Sequence, residues 1–168
     1  FKISFSIISI PLFFNSLLYL FNGSKYGFSS LLSKGKSVLL NTLNNFVDYF
    51  VIVESKFTHK GESRNLNFNH KKFSKFKDKI IYLVYDKQPD EIENIKQEDS
   101  EKEKSGKYIL NAAFRENGQR NYIQNGLTNA EDNDIILISD VDEIPNLSEI
   151  NFNKINQKII LFRQDMFY

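Results

Sequence analysis

Apolar residues along this chain fall into short unbroken runs, and the runs are separated by stretches that are either helically spaced or heavily charged. In "VLLNTLNNF" (38–46) Val38, Leu39, Leu40, Leu43 and Phe46 repeat with helical spacing. The next nine residues, "VDYFVIVES" (47–55), run apolar with β-branched residues and stop at Glu54. The pattern predicts a helix followed by a buried strand, and it recurs. "NHKKFSKFKDK" (69–79) carries Phe73 and Phe76 among lysines, with His70 on its solvated side, and leads into a second apolar run, "IIYLVYD" (80–86). "AAFRENGQRNYIQNGL" (112–127) predicts a helix interrupted by Gly118 and ending near Gly126, followed by a third strand, "DIILISD" (134–140). "KIILFRQ" (158–164) predicts a fourth. Continuous apolar strands alternating with helices predict an α/β domain with a mostly parallel sheet covered on both faces.

Two segments break this rhythm. "ISFSIISIPLFFNSLLYLF" (3–21) has the length of a membrane span, but Ser4, Ser6, Ser9, Asn15, Ser16 and Pro11 dilute it. A buried first strand centred on "PLFFN" and a signal-anchor both stay open, and with the anchor a membrane association through residues 3–21. The glycine- and serine-rich "NGSKYGFSSLLSKGKS" (22–37) reads as a loop or insertion. These residues divide the chain into 1–37, the apolar segment plus insertion, and 38–168, the main domain. Within the latter, "KQPDEIENIKQEDSEKEKSGK" (87–107) has almost nothing to bury and predicts a mobile charged excursion.

Composition narrows the function classes. With 22 basic and 21 acidic side chains the net charge is +1, so no uniform field attracts a polyanion, and nucleic acid is not expected as a partner. The absence of cysteine excludes disulfides, thiolate metal sites and a cysteine nucleophile. It fits a reducing compartment, and the location stays open between cytoplasm and a membrane. A start at Phe1 and an ending in "RQDMFY" read as a fragment. Asn22 and Asn146 each begin a glycosylation triplet, but a glycan on Asn146 would obstruct the acids beside it.

Those acids carry the candidate chemistry. "IILISDVDEIP" (135–145) drives an apolar strand into Asp140, Asp142 and Glu143. Ligands of open parallel sheets sit beyond the carboxyl ends of the strands, which is where both Glu54 and this cluster fall. Residues two apart in extended chain share a side, so Asp140 and Asp142 can point together while Val141 turns away. Two such carboxylates repel unless a hard divalent cation joins them, so Mn²⁺ or Mg²⁺ is expected, with water or substrate phosphates completing its shell. The bland alternative is that the acids only cap the next helix.

The blocks "VDYFVIVES" with "THKG", "KFKDKIIYLVYD", "RENGQRN" and "DIILISDVDEIP", in this order, resemble glycosyltransferase family 17, the family of β-1,4-mannosyl-glycoprotein β-1,4-N-acetylglucosaminyltransferase, over residues 39–168. The resemblance implies a GT-A type nucleotide-sugar fold, a UDP-sugar donor, a glycan or glycoprotein acceptor and Mn²⁺ or Mg²⁺ at the Asp-Val-Asp. Carried onto these residues, it places the metal on Asp142, with Asp140 reaching metal-bound water or the donor ribose. Glu54 then faces the nucleotide, and Thr58, His59 and Gly61 wall the donor or acceptor pocket. Arg120 either contacts the diphosphate, as the fork of a guanidinium allows, or pairs with one of the site acids. An inverting transfer requires one general base, for which Glu143 and Asp165 are the candidates within the chain.

The chain also departs from the family pattern. Ser16 stands where the family carries an acid, Gly118 stands where it carries an aromatic, and the helix around Gly118 is expected to be loose. No acceptor-binding half follows the last predicted strand. Two rivals therefore stand beside a transferase: a non-catalytic nucleotide-sugar or glycan-binding remnant, and a phosphatase of the haloacid dehalogenase type. The phosphatase motif continues with Thr or Val, where this chain has Ile144.

Overall fold

The computed structural model describes residues 3–9, 28–141 and 143–163. Four strands form one sheet: β1 (Ile3–Ser9), β2 (Val47–Ser55), β3 (Ile80–Tyr85) and β4 (Ile136–Asp140). All neighbours are parallel and their order is β3-β2-β1-β4. β1 is thus an inner strand, pairing Phe5 with Tyr49 on one side and with Ile136 on the other.

The predicted strands β2, β3 and β4 are present. The first strand lies ahead of the "PLFFN" stretch on which the sequence pattern centres it, and residues 10–27 lie outside the described residues. Residues 3–9 are hydrogen-bonded on both sides as a strand, whereas a signal-anchor would need them in a helix. No helix among the described residues is long and apolar enough to cross a membrane. The predicted strand 158–164 does not form over residues 158–163. Ile159 and Leu161 are 79% and 90% exposed there, while Phe162 packs against the α1-side core without strand pairing. The rest of that stretch, from 164 on, lies outside the described residues.

Helix α1 (Phe28–Leu43) connects β1 to β2 and begins ten residues before the predicted start at 38, inside the segment expected to be a loop. Its buried stripe is Lys36, Leu39, Leu40 and Leu43, spaced i, i+3, i+4 and i+7, while Val38 faces out. Alternate residues of β2 divide between two cores. Phe50 and Ile52 pack with the α1 leucines, Phe68, Phe73, Phe76, Leu137, Val141 and Leu147. Val51 and Val53 pack on the opposite face with Tyr85 and Ile123. The central strand is therefore apolar throughout because it is covered on both sides. β4 is not: Leu137 is buried on the α1 face, but Ile138 on the other is 61% exposed.

The lysine-rich segment forms a kinked 3-10 helix, His70–Phe76, whose Phe73 and Phe76 are buried. Helix α2 (Glu101–Asn121) crosses from β3 to β4 and starts well before the predicted 112. The final third of the expected excursion at 87–107 is thus helical. Ser100 and Glu103 form a reciprocal capping box: the Glu103 amide donates to Ser100 Oγ at 3.3 Å and the Ser100 amide donates to Glu103 Oε2 at 2.8 Å. The buried stripe of α2 is polar, namely Asn111, Arg115 and Gln119, while Tyr108, Ile109 and Leu110 face out. Hydrogen bonds rather than apolar burial dock this helix, which is why hydrophobic spacing does not reveal its first half. A 3-10 turn, Tyr122–Gly126, then completes the covering of β2 and β3.

Candidate functional site

All four strands run the same way, so their carboxyl ends line one edge. The chain order reverses between β1 and β4, with β2 and β3 to one side, and the helical connections leave on opposite faces. In open parallel sheets such a reversal marks the ligand-binding edge, and here it falls between the ends of β1 and β4, where Ser9 pairs with Asp140. Two of the predicted site acids lie along this edge, Glu54 ending β2 and Asp140 ending β4.

Glu54 is fully buried. Its Oε1 accepts from Arg64 Nη2 at 2.9 Å and the Asn67 amide at 2.7 Å. Its Oε2 accepts from the Phe68 amide at 3.0 Å and the Tyr82 hydroxyl at 2.9 Å. Four donors fill the four lone-pair positions of a carboxylate. Glu54 is thus an organiser of the 64–68 loop, with each lone-pair position facing an internal donor. Burial, the Glu54 hydrogen bond and the Glu54 charge together push the Tyr82 hydroxyl well above the usual phenol range. Lys36, 3% exposed, lies beside this cluster with its ammonium 5.9 Å from the centroid of the Phe68 ring. Burial pushes that ammonium down, the Glu54 charge opposes the shift, and the Arg64 charge adds to it. His70 is exposed as expected, yet its ring packs edge-on against Phe68 and Tyr82 at 4.9 and 5.1 Å.

At the end of β4 the arrangement is more open. Asp140 retains 21% side-chain exposure, and Arg120 Nη2 donates to its Oδ1 and Oδ2, both at 3.3 Å. The same guanidinium reaches Glu116 Oε1, one turn back on α2, at 3.3 Å. Arg120 thus forms an ion pair with a site acid. Val141 turns to the opposite face and is buried in the α1 core, as the alternation of extended chain requires. The chain then bends. The Glu143 amide donates to the Asp140 carbonyl at 3.1 Å, and the Asp140 amide lies 3.5 Å from Glu143 Oε2. Asp142 and Asp165 lie outside the described residues. No group of three histidine, aspartate or glutamate side chains converges among the described residues. The donors at this turn are all carboxylate oxygens, a chemistry that suits Mg²⁺ or Mn²⁺. Arg120 supplies a cationic partner to Asp140.

The loop after β2 folds on itself through an isolated bridge between Phe57 and Ser63, and Gly61 turns it with a φ of 87°. Arg115 of α2 clamps it, donating from Nη1 to the His59 carbonyl at 2.7 Å and from Nε to Gln88 Oε1 at 2.8 Å. A Cβ on Gly61 would collide with the Arg115 guanidinium. The structure thus holds His59 by its backbone, at a half-buried position. Gly118, expected to loosen α2, does the reverse: the Tyr85 hydroxyl occupies the space a Cβ would need, so the missing side chain brings the helix against the end of β3. Asn146 caps the turn after the acids, its Oδ1 accepting from Ser148 Oγ at 2.6 Å.

Sequence reasoning missed Lys36, Arg64, Tyr82 and Arg115. For Arg115 a signal existed, since Asn111, Arg115 and Gln119 are polar residues at helical spacing. For the others no local pattern points to Glu54, because the contacts span 10 to 28 residues.

No curated protein and no solved structure matches this chain. The family model described as Glycosyltransferase family 17 matches residues 31–162, which takes in most of α1, all of β2 to β4 and both acidic strand ends. The chain belongs to glycosyltransferase family 17.

Proposed function

We propose that this chain is the donor-binding part of a metal-dependent, inverting transferase of GT-A type. It would move N-acetylglucosamine from a UDP-sugar to a hydroxyl of a glycan acceptor. The observation that carries this reading is the position of Asp140 where strand order reverses in a parallel sheet, in a chain whose family transfers sugars.

In this reading Asp142 holds Mn²⁺ or Mg²⁺ directly, and Asp140 acts through bound water or the donor ribose. When bound, the cation neutralises negative charge that develops on the departing diphosphate. Arg120 sits 3.3 Å from Asp140 and is 39% exposed, so its fork can serve the acid and a phosphate oxygen in turn. Glu116 holds the guanidinium at this end of α2. Glu143, exposed at the same turn, is the described candidate for the base that takes the acceptor proton. Glu54 acts at one remove by fixing the 64–68 loop.

The test is UDP release from UDP-N-acetylglucosamine. The wild-type chain should release UDP only with Mn²⁺ or Mg²⁺ present, and Asp142→Asn should abolish metal-dependent binding in calorimetry without lowering the melting temperature. Unchanged affinity in that variant sinks the proposal. Binding without turnover would favour the non-catalytic remnant, and phosphate release from monoesters would favour the phosphatase.

A further inference from the structure

We propose that Arg115 is a positioning residue that acts, together with Gln88, on the turn at 57–63 and holds that turn in its ligand-binding form before a ligand arrives. The turn is poorly equipped to hold itself. One isolated bridge joins its arms, Phe57 to Ser63, and two backbone hydrogen bonds close it, from the Thr58 amide to the Glu62 carbonyl at 2.8 Å and from the Gly61 amide to the Thr58 carbonyl at 2.9 Å. None of residues 57–63 is buried. A two-stranded ribbon without a core is marginal in water, so the turn depends on a grip from outside. Arg115, 7% exposed on α2, donates from Nη1 to the His59 carbonyl at 2.7 Å and from Nε to Gln88 Oε1 at 2.8 Å. Gln88 in turn donates from Nε2 to the Gly61 carbonyl at 3.3 Å. Two carbonyls at the tip are thus held by one guanidinium and its partner. Gly61 makes the approach possible, since its φ is 87° and a Cβ there would collide with the guanidinium.

The chemistry of this clamp points to geometry as what it serves. The acceptors that Arg115 meets are a backbone carbonyl and a carboxamide, both neutral. Burying a cation costs free energy that apolar packing would not, whereas its forked donors fix a direction that apolar packing cannot. The place fits a binding wall. The turn follows β2 at the carboxyl edge of the sheet, where open parallel sheets take their ligands. The helix that supplies Arg115 also supplies Arg120, which meets Asp140 on the same edge at 3.3 Å. Gln119, one helical turn on from Arg115, donates from Nε2 to the Val53 carbonyl at 3.1 Å, and Gly118 lies against the Tyr85 hydroxyl. Helix α2 therefore cannot slide along the sheet without breaking contacts, and it sets the turn and Asp140 at a fixed separation. A wall fixed before binding spares the ligand the cost of ordering it.

That the ligand of this wall is the UDP-sugar rests on the proposed function, whereas the clamp itself does not. Two readouts are therefore taken together on Arg115→Met, Arg115→Lys and Gln88→Ala. One is amide exchange at Thr58 and Gly61, and the other is the Kd of UDP-N-acetylglucosamine with Mn²⁺ by calorimetry, with UDP release giving kcat at saturating donor. Arg115→Met should speed exchange at both amides and weaken binding, each by about tenfold, while kcat changes less than about threefold. Arg115→Lys keeps a donor for the His59 carbonyl and loses the fork, so it should recover part of both losses. Gln88 is exposed, so Gln88→Ala keeps the test open if Arg115→Met does not fold, and it should move both readouts in the same direction. A merely structural arginine would lower the melting temperature and leave the Kd of the folded protein unchanged. A turn that loosens while Kd stays at the wild-type value overturns the proposal, as does a Kd that rises with turn exchange unchanged or a loss confined to kcat. Wild-type protein that binds no UDP-N-acetylglucosamine overturns the donor reading and this role with it, and unchanged Kd in the variants of a protein that does bind overturns this role alone.

Discussion

β2 and β4 end alike in sequence, each an apolar run stopping at an acid on the same edge of one sheet, and the two acids have opposite fates. Glu54 is fully buried and accepts from four internal donors. Asp140 keeps 21% of its side chain in solvent and meets a guanidinium at 3.3 Å. The difference comes from the neighbours. β2 is central and is roofed by the 64–68 loop and by α1, so its terminal acid is enclosed. β4 has β1 on one side and no strand on the other among the described residues, and its terminal acid keeps part of its side chain in solvent. A carboxylate after an apolar strand is therefore a scaffold element or a site element according to what covers it.

Breaking the comparison at its stronger end should give the largest effect. Glu54→Ala leaves Arg64, Tyr82 and two amides without their acceptor, and should destabilise the protein by about 3–5 kcal/mol in urea denaturation. If the loss is below roughly 1 kcal/mol, Glu54 is not the organiser its contacts imply. At the other end, Asp140→Asn should change stability by less than about 1 kcal/mol, as expected for a partly exposed pair. The same change should lower Mn²⁺-dependent UDP release by about a hundred- to a thousandfold. Equal stability losses in the two variants would erase the distinction.

Gly118→Ala sharpens the comparison through the helix that carries Arg120 to Asp140. Alanine would gain about 1 kcal/mol as a helix former, but its Cβ meets the Tyr85 hydroxyl, and overpacking of that kind costs about 1–3 kcal/mol. The expected outcome is a lower melting temperature together with reduced activity, and a stabilised, fully active variant would show that α2 has room to shift.

The smallest effect concerns carboxylates that are neither roofed nor catalytic. Asp99 and Glu103 at the start of α2 are held below their ordinary values of 3.8 and 4.5, Asp99 first by the Lys107 hydrogen bond and Glu103 first by the Ser100 hydrogen bond. Carboxylates with lowered folded values stabilise the fold above the unfolded value and lose that contribution as pH falls through the folded one. Acidification below about pH 4 should therefore lower the protection factors of the Glu103 and Lys104 amides, which donate to Ser100. Protection that stays unchanged through that range would contradict the assignment.

Hydrophobic runs identified β2, β3 and β4 because a strand covered on both faces needs uninterrupted apolar residues, and that need is visible locally. The same rule overreached at 158–163, where Ile159 and Leu161 stay exposed and no strand pairing forms. It also underreached in α2, whose buried stripe is Asn111, Arg115 and Gln119, and in α1, whose first ten residues look like a loop. The Ser100-to-Glu103 capping box was legible by spacing, yet it lies within a charged stretch that reads as unstructured.

What the sequence determined by itself is the parallel α/β plan and the placing of acids at strand ends, because both follow from short-range periodicity. Only the tertiary structure decided that Glu54 is held by internal donors, that Arg120 reaches Asp140, and that Arg64 and Tyr82 share one carboxylate. Those outcomes depend on charges and donors that meet from 10 to 28 residues apart or from separate elements, and the balance between burial and pairing that governs them exists only once the chain has folded.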